Sequence, residues 1–139
     1  MNHPIDIYPI GIVQRRRDKL WIKLKEDFVE GLLGLDAFSH IIVLYWFHRN
    51  DIPEYRKTLQ VHPKGNPANP LTGVFATHSP RRPNLIAQTI CKITSIEHNK
   101  IFIADIDAQD GSPVLDIKCH VPSHQEGRGV RVPDWALNS

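Results

Sequence analysis

The sequence predicts a mainly β, single-domain barrel or sandwich, and three observations lead there. Apolar residues alternate over short stretches that end in turn residues, most clearly in the second half of the chain. Eleven prolines against eight glycines work against long helices and central strands. No heptad, internal repeat or low-complexity tract is visible. The 139 residues suit one domain with its own core. With 41% hydrophobic and 23% charged residues, the balance is globular and not that of a disordered chain.

In chain order, Ile5, Ile7 and Ile10-Gly11-Ile12-Val13 predict an opening strand, with Pro9 at an edge or bulge. Arg15-Arg16-Arg17-Asp18-Lys19 reads as a charged turn, and Leu20 to Leu24 as a second strand. Gly31 and Gly34 favour short turns over a long helix. Ile41 to Phe47, a continuous apolar run, predicts a strand buried on both faces. Four prolines between Asp51 and Thr72 predict loop, with room for a short strand at Leu59-Gln60-Val61. Ile86–Ile96 and Lys100–Asp107 read as strands joined by a hairpin turn at Glu97-His98-Asn99. Asp110-Gly111-Ser112-Pro113 is a further turn before a strand at Val114 to Ile117. From Pro122 onward the composition turns polar, which predicts a partly mobile C-terminal tail over 123–139.

Several function classes are excluded or weakened. The longest apolar run is far short of the roughly 20 residues of a membrane helix, and the N-terminus lacks the pattern of a secretory signal. The expectation is a soluble, cytoplasmic protein. Cys91 and Cys119 show no C-x-x-C spacing; two reduced thiols are expected, with a disulfide as the alternative. Dinucleotide, Walker, zinc-protease and serine-hydrolase motifs are absent. Asp105, Asp107 and Asp110-Gly111 do not have calcium-loop spacing. His40 and His48 fall at opposite ends of one strand, and Pro122 interrupts the helical spacing of His120 and His124, so no metal is expected.

Three segments carry chemistry. Arg15 to Lys25 is the densest basic segment, either a solvated face or a phosphate-contacting stripe. Gly73 to Asn84 ends a strand in a loop stiffened by Pro80 and Pro83; its Arg82 and Asn84 suit a flat, hydrogen-bonding ligand, or form a purely structural turn. Asp105 and Asp107 are expected on one strand face, and with Asp110 and Asp116 they suit ribose hydroxyls or an amine, or simply face solvent.

In order and spacing, Gly31-Leu32, Gly34-Leu35-Asp36-Ala37-Phe38-Ser39-His40 through His48, Gly73 to Thr77, Ser79-Pro80, Arg82-Pro83-Asn84, and Asp107-x-x-Asp110-Gly111-Ser112-Pro113 through Lys118 resemble the TsaA/TrmO family. The likeness runs from about Ile10 to Pro122. It implies a TsaA-like β-barrel domain over 1–122, with short helices or turns. It also implies an S-adenosylmethionine-dependent methyltransferase that N6-methylates threonylcarbamoyl-adenosine next to the anticodon of tRNA. Such proteins are homodimers with the cofactor near the subunit interface. By position, Arg49, Asn50, His78, Gln88, Ala104, Asp105, Ile106 and Asp107 would bind the cofactor. Arg81, Arg82, Asn84 and Lys118 would bind the tRNA anticodon arm, and the proton acceptor would be Asp107, Asp116 or His78, if a dedicated base exists.

The chain departs from the family pattern at His78 (arginine in the family), Leu85 (proline), Ala87 (glycine) and Lys118-Cys119-His120 (lysine-proline-tyrosine). An early serine-proline and proline-arginine-glutamine cofactor loop is missing after Val13. Two alternatives follow: a non-catalytic nucleotide- or RNA-binding barrel, or a methyltransferase with another substrate.

Overall fold

A computed structural model describes residues 3–123 and 128–137. Of the tail expected over 123–139, positions 124–127 and 138–139 lie outside the described residues, and His124 lies there with them. The chain forms two compact units, one from residues 1–49 and 86–120, the other from 50–85 and 121–139.

The first unit is a closed antiparallel barrel. Its strands are β1 (Gly11–Arg16), β2 (Lys19–Leu24), β3 (His40–Trp46), β6 (Ile86–Glu97), β7 (Lys100–Ile103) and β8 (Pro113–Cys119), in the order β1-β2-β7-β6-β3-β8. β8 closes on β1 through Gly11–Val114 and Ile12–Pro113. Alternation sends one set of side chains inward: Val13, Ile22, Ile41, Val43, Ile101 and Val114 are fully buried. Burying each such side chain contributes roughly 1.5–3 kcal/mol, so these rows dominate the stability of the barrel. Gly11 is required where β1 meets β2, because a Cβ there would collide with the backbone carbonyl of Lys23.

Turns place the two barrel ends. Arg17, in the left-handed region at φ 58°, joins β1 to β2 in a two-residue hairpin turn with Asp18. His98, at φ 53°, does the same between β6 and β7. Between β2 and β3 the glycines give 3-10 segments, Glu26–Leu32 and Leu35–Ala37, in place of a long helix.

Several strand expectations need correction. β1 begins at Gly11 and not at Ile5, and it runs through Arg15 and Arg16, expected as turn, because both pair with β2. β3 is not buried on both faces: Ile41, Val43 and Tyr45 are buried, while Ile42, Leu44 and Trp46 on the outer face are half-buried. A barrel strand has only one interior side, and an apolar run cannot say which residues take the other. β7 stops at Ile103, so Asp105 and Asp107 sit in a loop and do not share a strand face. The alternation nevertheless persists, with Ile106 and Ala108 buried and both carboxylates exposed.

The second unit contains a two-stranded ribbon, β4 (Gln60–Val61) with β5 (Thr72–Gly73), and one short helix, α1 (Pro53–Arg56). Val74 and Leu85 are buried, and Pro133 precedes a 3-10 turn at Asp134–Ala136.

Candidate functional site

In the barrel unit the chemistry collects at one end. The β1–β2 turn, the exit of β3 toward Arg49, the start of β6 and the loop between β7 and β8 all lie there. Arg15 holds that loop in place. Its Nε and Nη2 donate to the Ala108 carbonyl (3.0 and 2.9 Å), and Nη2 also donates to the carbonyl of Ile106. Its backbone N–H donates to Asp110 Oδ1 (2.8 Å), while Gly111 N–H donates to the Val13 carbonyl (2.7 Å) and Val13 N–H to that of Ser112 (2.9 Å). Five hydrogen bonds of good length plus the Ile106 contact make residues 106–112 an extension of the barrel wall. Arg15 is therefore committed to the loop, which removes it from the basic stripe expected to face phosphates.

The four carboxylates then separate. Asp110 accepts from Arg15, Asp105 Oδ1 from the Ile106 N–H (2.9 Å) and Asp116 Oδ1 from the Ile117 N–H (2.9 Å). Among the described residues Asp107 makes no hydrogen bond, and it stands exposed between buried Ile106 and Ala108. Nearby, Tyr45 Oη lies 3.4 Å from Thr89 Oγ1. Burial raises the Tyr45 hydroxyl above the usual phenol range, the Asp107 and Cys91 charges add to this, and the Thr89 hydrogen bond opposes it. Burial, assisted by the charge of Asp105, pushes the Cys91 thiol up to about 11. Asp105 and Asp107 thus act electrostatically on the inward-facing row of β3 and β6.

Gln88, Asp116 and Lys118 lie instead on the outer barrel face. Leu44 pairs with Gln88 on one side and Asp116 on the other, and Lys118 flanks Ile42 across from Ile90. Ala104 is exposed at the start of the loop, and its N–H donates to the Lys92 carbonyl (3.0 Å). Arg49 is exposed in a 3-10 turn at His48–Asn50.

The second unit holds the other expected residues. Asn50 is half-buried at its start, and His78 and Asn84 are exposed. The 77–84 loop is fixed by its own polar groups as well as by Pro80 and Pro83. Thr77 Oγ1 donates to the Val74 carbonyl (2.8 Å), Ser79 N–H donates to Thr77 Oγ1, and Arg81 N–H to Ser79 Oγ. Arg82 Nη1 donates to the carbonyls of Thr77 (3.2 Å) and Ser79 (3.0 Å), and Arg56 Nε to that of Pro83 (2.9 Å). Arg81 lies over the Tyr55 ring, 4.1 Å from its centroid.

Sequence reasoning missed Arg15, Tyr45 and Thr89. Period-two parity held a signal for the first, since Arg15 shares the parity of the buried Gly11 and Val13 along β1, although it is itself exposed at the strand end. An open apolar groove of about 640 Å³ occupies the other barrel end, lined by Leu24, Phe28, Leu32, Leu35, Phe38 and Cys119 among others. It contains none of the expected site residues and no cluster of polar groups, so its size alone does not make it the site. Among the described residues no three metal-ligating side chains converge, and His120 stacks edge-on to His40.

The family model described as the tRNA-methyltransferase O N-terminal domain matches residues 7–126. A probable S-adenosyl-L-methionine-binding protein of Methanocaldococcus jannaschii is 52% identical over 110 residues, covering 79% of this chain and 87% of that protein. The human tRNA (adenine(37)-N6)-methyltransferase is 39% identical over 102 residues, 73% of this chain but 22% of that enzyme. The crystal structure of TrmO from Pseudomonas aeruginosa superposes with a TM-score of 0.73 at 25% identity, covering 97% of this chain. This chain spans 63% of the length of that structure.

Proposed function

The chain belongs to the family of the tRNA-methyltransferase O N-terminal domain, and from that premise we propose that it is an S-adenosylmethionine-dependent methyltransferase that methylates the exocyclic amine of threonylcarbamoyl-adenosine beside the tRNA anticodon. In this reading it works in the cytoplasm as a homodimer. Among the described residues no helix is long and apolar enough to cross a membrane.

The observation that carries this reading is Asp107, an exposed carboxylate without a hydrogen-bond partner among the described residues, on a loop that Arg15 holds rigid. Its chemistry fits a cofactor with a positively charged sulfur and ribose hydroxyls. When bound, S-adenosylmethionine supplies an electrophilic methyl group. The protein's part is alignment, because in-line displacement requires nucleophile and methyl to be held in register. Arg49, Asn50, His78, Gln88 and Ala104 to Asp107 are the proposed cofactor residues. Arg81, Arg82, Asn84 and Lys118 are the proposed contacts to the anticodon arm. The proton leaving the adenine amine passes to a carboxylate oxygen of Asp107 or Asp116, to the His78 ring, or to solvent.

One observation favours a second reading, a barrel that binds a nucleotide or RNA without transferring methyl. β1 and β2 are joined by two residues, which leaves no place for the family's early cofactor loop. Calorimetry with S-adenosylmethionine comes first, and the methylation state of tRNA then separates the two. Binding is expected, with Asp107→Ala weakening it by about tenfold, the scale of one lost charge-assisted contact. No heat at near-millimolar ligand would end the methyltransferase reading, and wild-type affinity in the variant would reject the placement of Asp107. If the cofactor binds, nucleoside mass spectrometry of tRNA from cells lacking the gene should show threonylcarbamoyl-adenosine without its methyl group. Unchanged tRNA would point to another substrate or to the non-catalytic barrel.

A further inference from the structure

The outer face of β1, β2 and β7 carries an arrangement that barrel stability does not explain. Trp21 and Phe102 are directly paired across β2 and β7 and half-exposed, with ring centroids 5.7 Å apart. Trp21 Nε1–H donates to Gln14 Oε1 (2.6 Å), which fixes the indole against the sheet. On either side of this aromatic row stands a pair of like charges placed opposite each other, Arg16 with Lys19 and Lys23 with Lys100. Like charges directly opposite on a sheet cost stability. Lys100 Nζ lies 5.6 Å from the Trp21 centroid, and acidic residues at the margin include Glu97, paired with Lys100, Asp18 in the turn, and Glu26, which is engaged by His98.

We propose that this face is a platform for an unpaired segment of RNA, whose bases stack on Trp21 and Phe102 and whose phosphates lie along Arg16, Lys19, Lys23 and Lys100. Aromatics on an exposed sheet between cations are what single-stranded nucleic acid recognition needs, since every base has a flat face and every nucleotide a charge. An anionic ligand also relieves the two repulsive pairs. The inference rests on the tRNA reading and deepens it by naming where the anticodon loop would lie.

The test is fluorescence anisotropy with a labelled anticodon stem–loop RNA, beside a blunt RNA duplex of equal charge. The stem–loop should bind more tightly than the duplex, and its binding should quench tryptophan emission. Trp21→Leu should lower affinity about tenfold and remove most of that quenching, consistent with the usual worth of one stacked base. Lys23→Gln should lower affinity and flatten the salt dependence by about one counterion, while leaving the melting temperature equal or higher. A purely structural lysine would not give that combination. Wild-type affinity in both variants, or equal binding of duplex and stem–loop, would overturn the platform. Either result leaves the methyltransferase reading standing, because methyl transfer to whole tRNA is measured separately. Absence of RNA binding by the wild type overturns the platform, and the mass spectrometry of cellular tRNA then decides the reading alone.

Discussion

Cys91 and Cys119 lie in one row of the barrel wall, each the cross-strand partner of Ile41 from opposite sides. Two strand spacings put their Cα atoms roughly 9–10 Å apart, beyond the reach of a disulfide. Both are free; Cys91 is buried and Cys119 exposed. With its thiol pushed up to about 11, Cys91 is protonated at pH 8 and shielded from reagents. One thiol should therefore react with a disulfide reagent at pH 8 in the native protein, and the second only after unfolding; rapid reaction of both would contradict the burial. The shift also has a sign for stability. A folded-state value above the unfolded one, near 9, means the native state keeps its proton longer, so stability contributed by this group is intact below pH 9 and falls as pH rises toward about 11. Cys91→Ala should lower stability at neutral pH, through the space it leaves, but flatten the decline between pH 9 and 11 in denaturant titrations.

At the scale of elements, the loop between β7 and β8 depends on β1. Removing the Arg15 guanidinium would leave the Ile106 and Ala108 carbonyls without its donors, at a cost of about 1–3 kcal/mol. Arg15→Ala should speed hydrogen exchange across 106–112 and weaken S-adenosylmethionine binding about tenfold, with the rest of the barrel still protected. Arg15→Lys should not restore either, because an ammonium cannot reproduce the fork. Unchanged exchange would show that the loop holds itself. This dependence was only half legible in the sequence. Period-two alternation yielded β2, β6 and the β6–β7 turn, because barrel strands with one buried face print their parity directly. It overextended β7, since Asp105 to Ala108 keep that alternation without pairing to a neighbouring strand. It also hid Arg15 in a charged run, where composition outweighed parity. The fold was thus readable from local pattern. The candidate site was reached through a family resemblance, because which carboxylate lacks a partner depends on hydrogen bonds from residues about 90 positions away.

For the whole molecule, the outer face of β3 and β6 bears on the proposed dimer. Ile90 is 47% exposed and Ile86 40%, and they pair with Ile42 and Trp46, whose side chains are half-buried. Gln88, one of the proposed cofactor residues, projects from the middle of this apolar strip beside Leu44. A second copy seated there would cover the isoleucines and bring its own groups next to Gln88, so that assembly and cofactor binding become linked. The formal charge of +2 is too small for repulsion between copies to oppose this. The expected outcome is a dimer at tens of micromolar in sedimentation velocity. Ile90→Glu should convert it to a monomer and weaken cofactor affinity together, with the monomer's melting temperature no longer dependent on protein concentration. A wild-type monomer would remove the dimer from the proposal. A monomeric variant that binds S-adenosylmethionine as the wild type does would break the link between the interface and Gln88, leaving the cofactor to the Asp107 loop of a single chain.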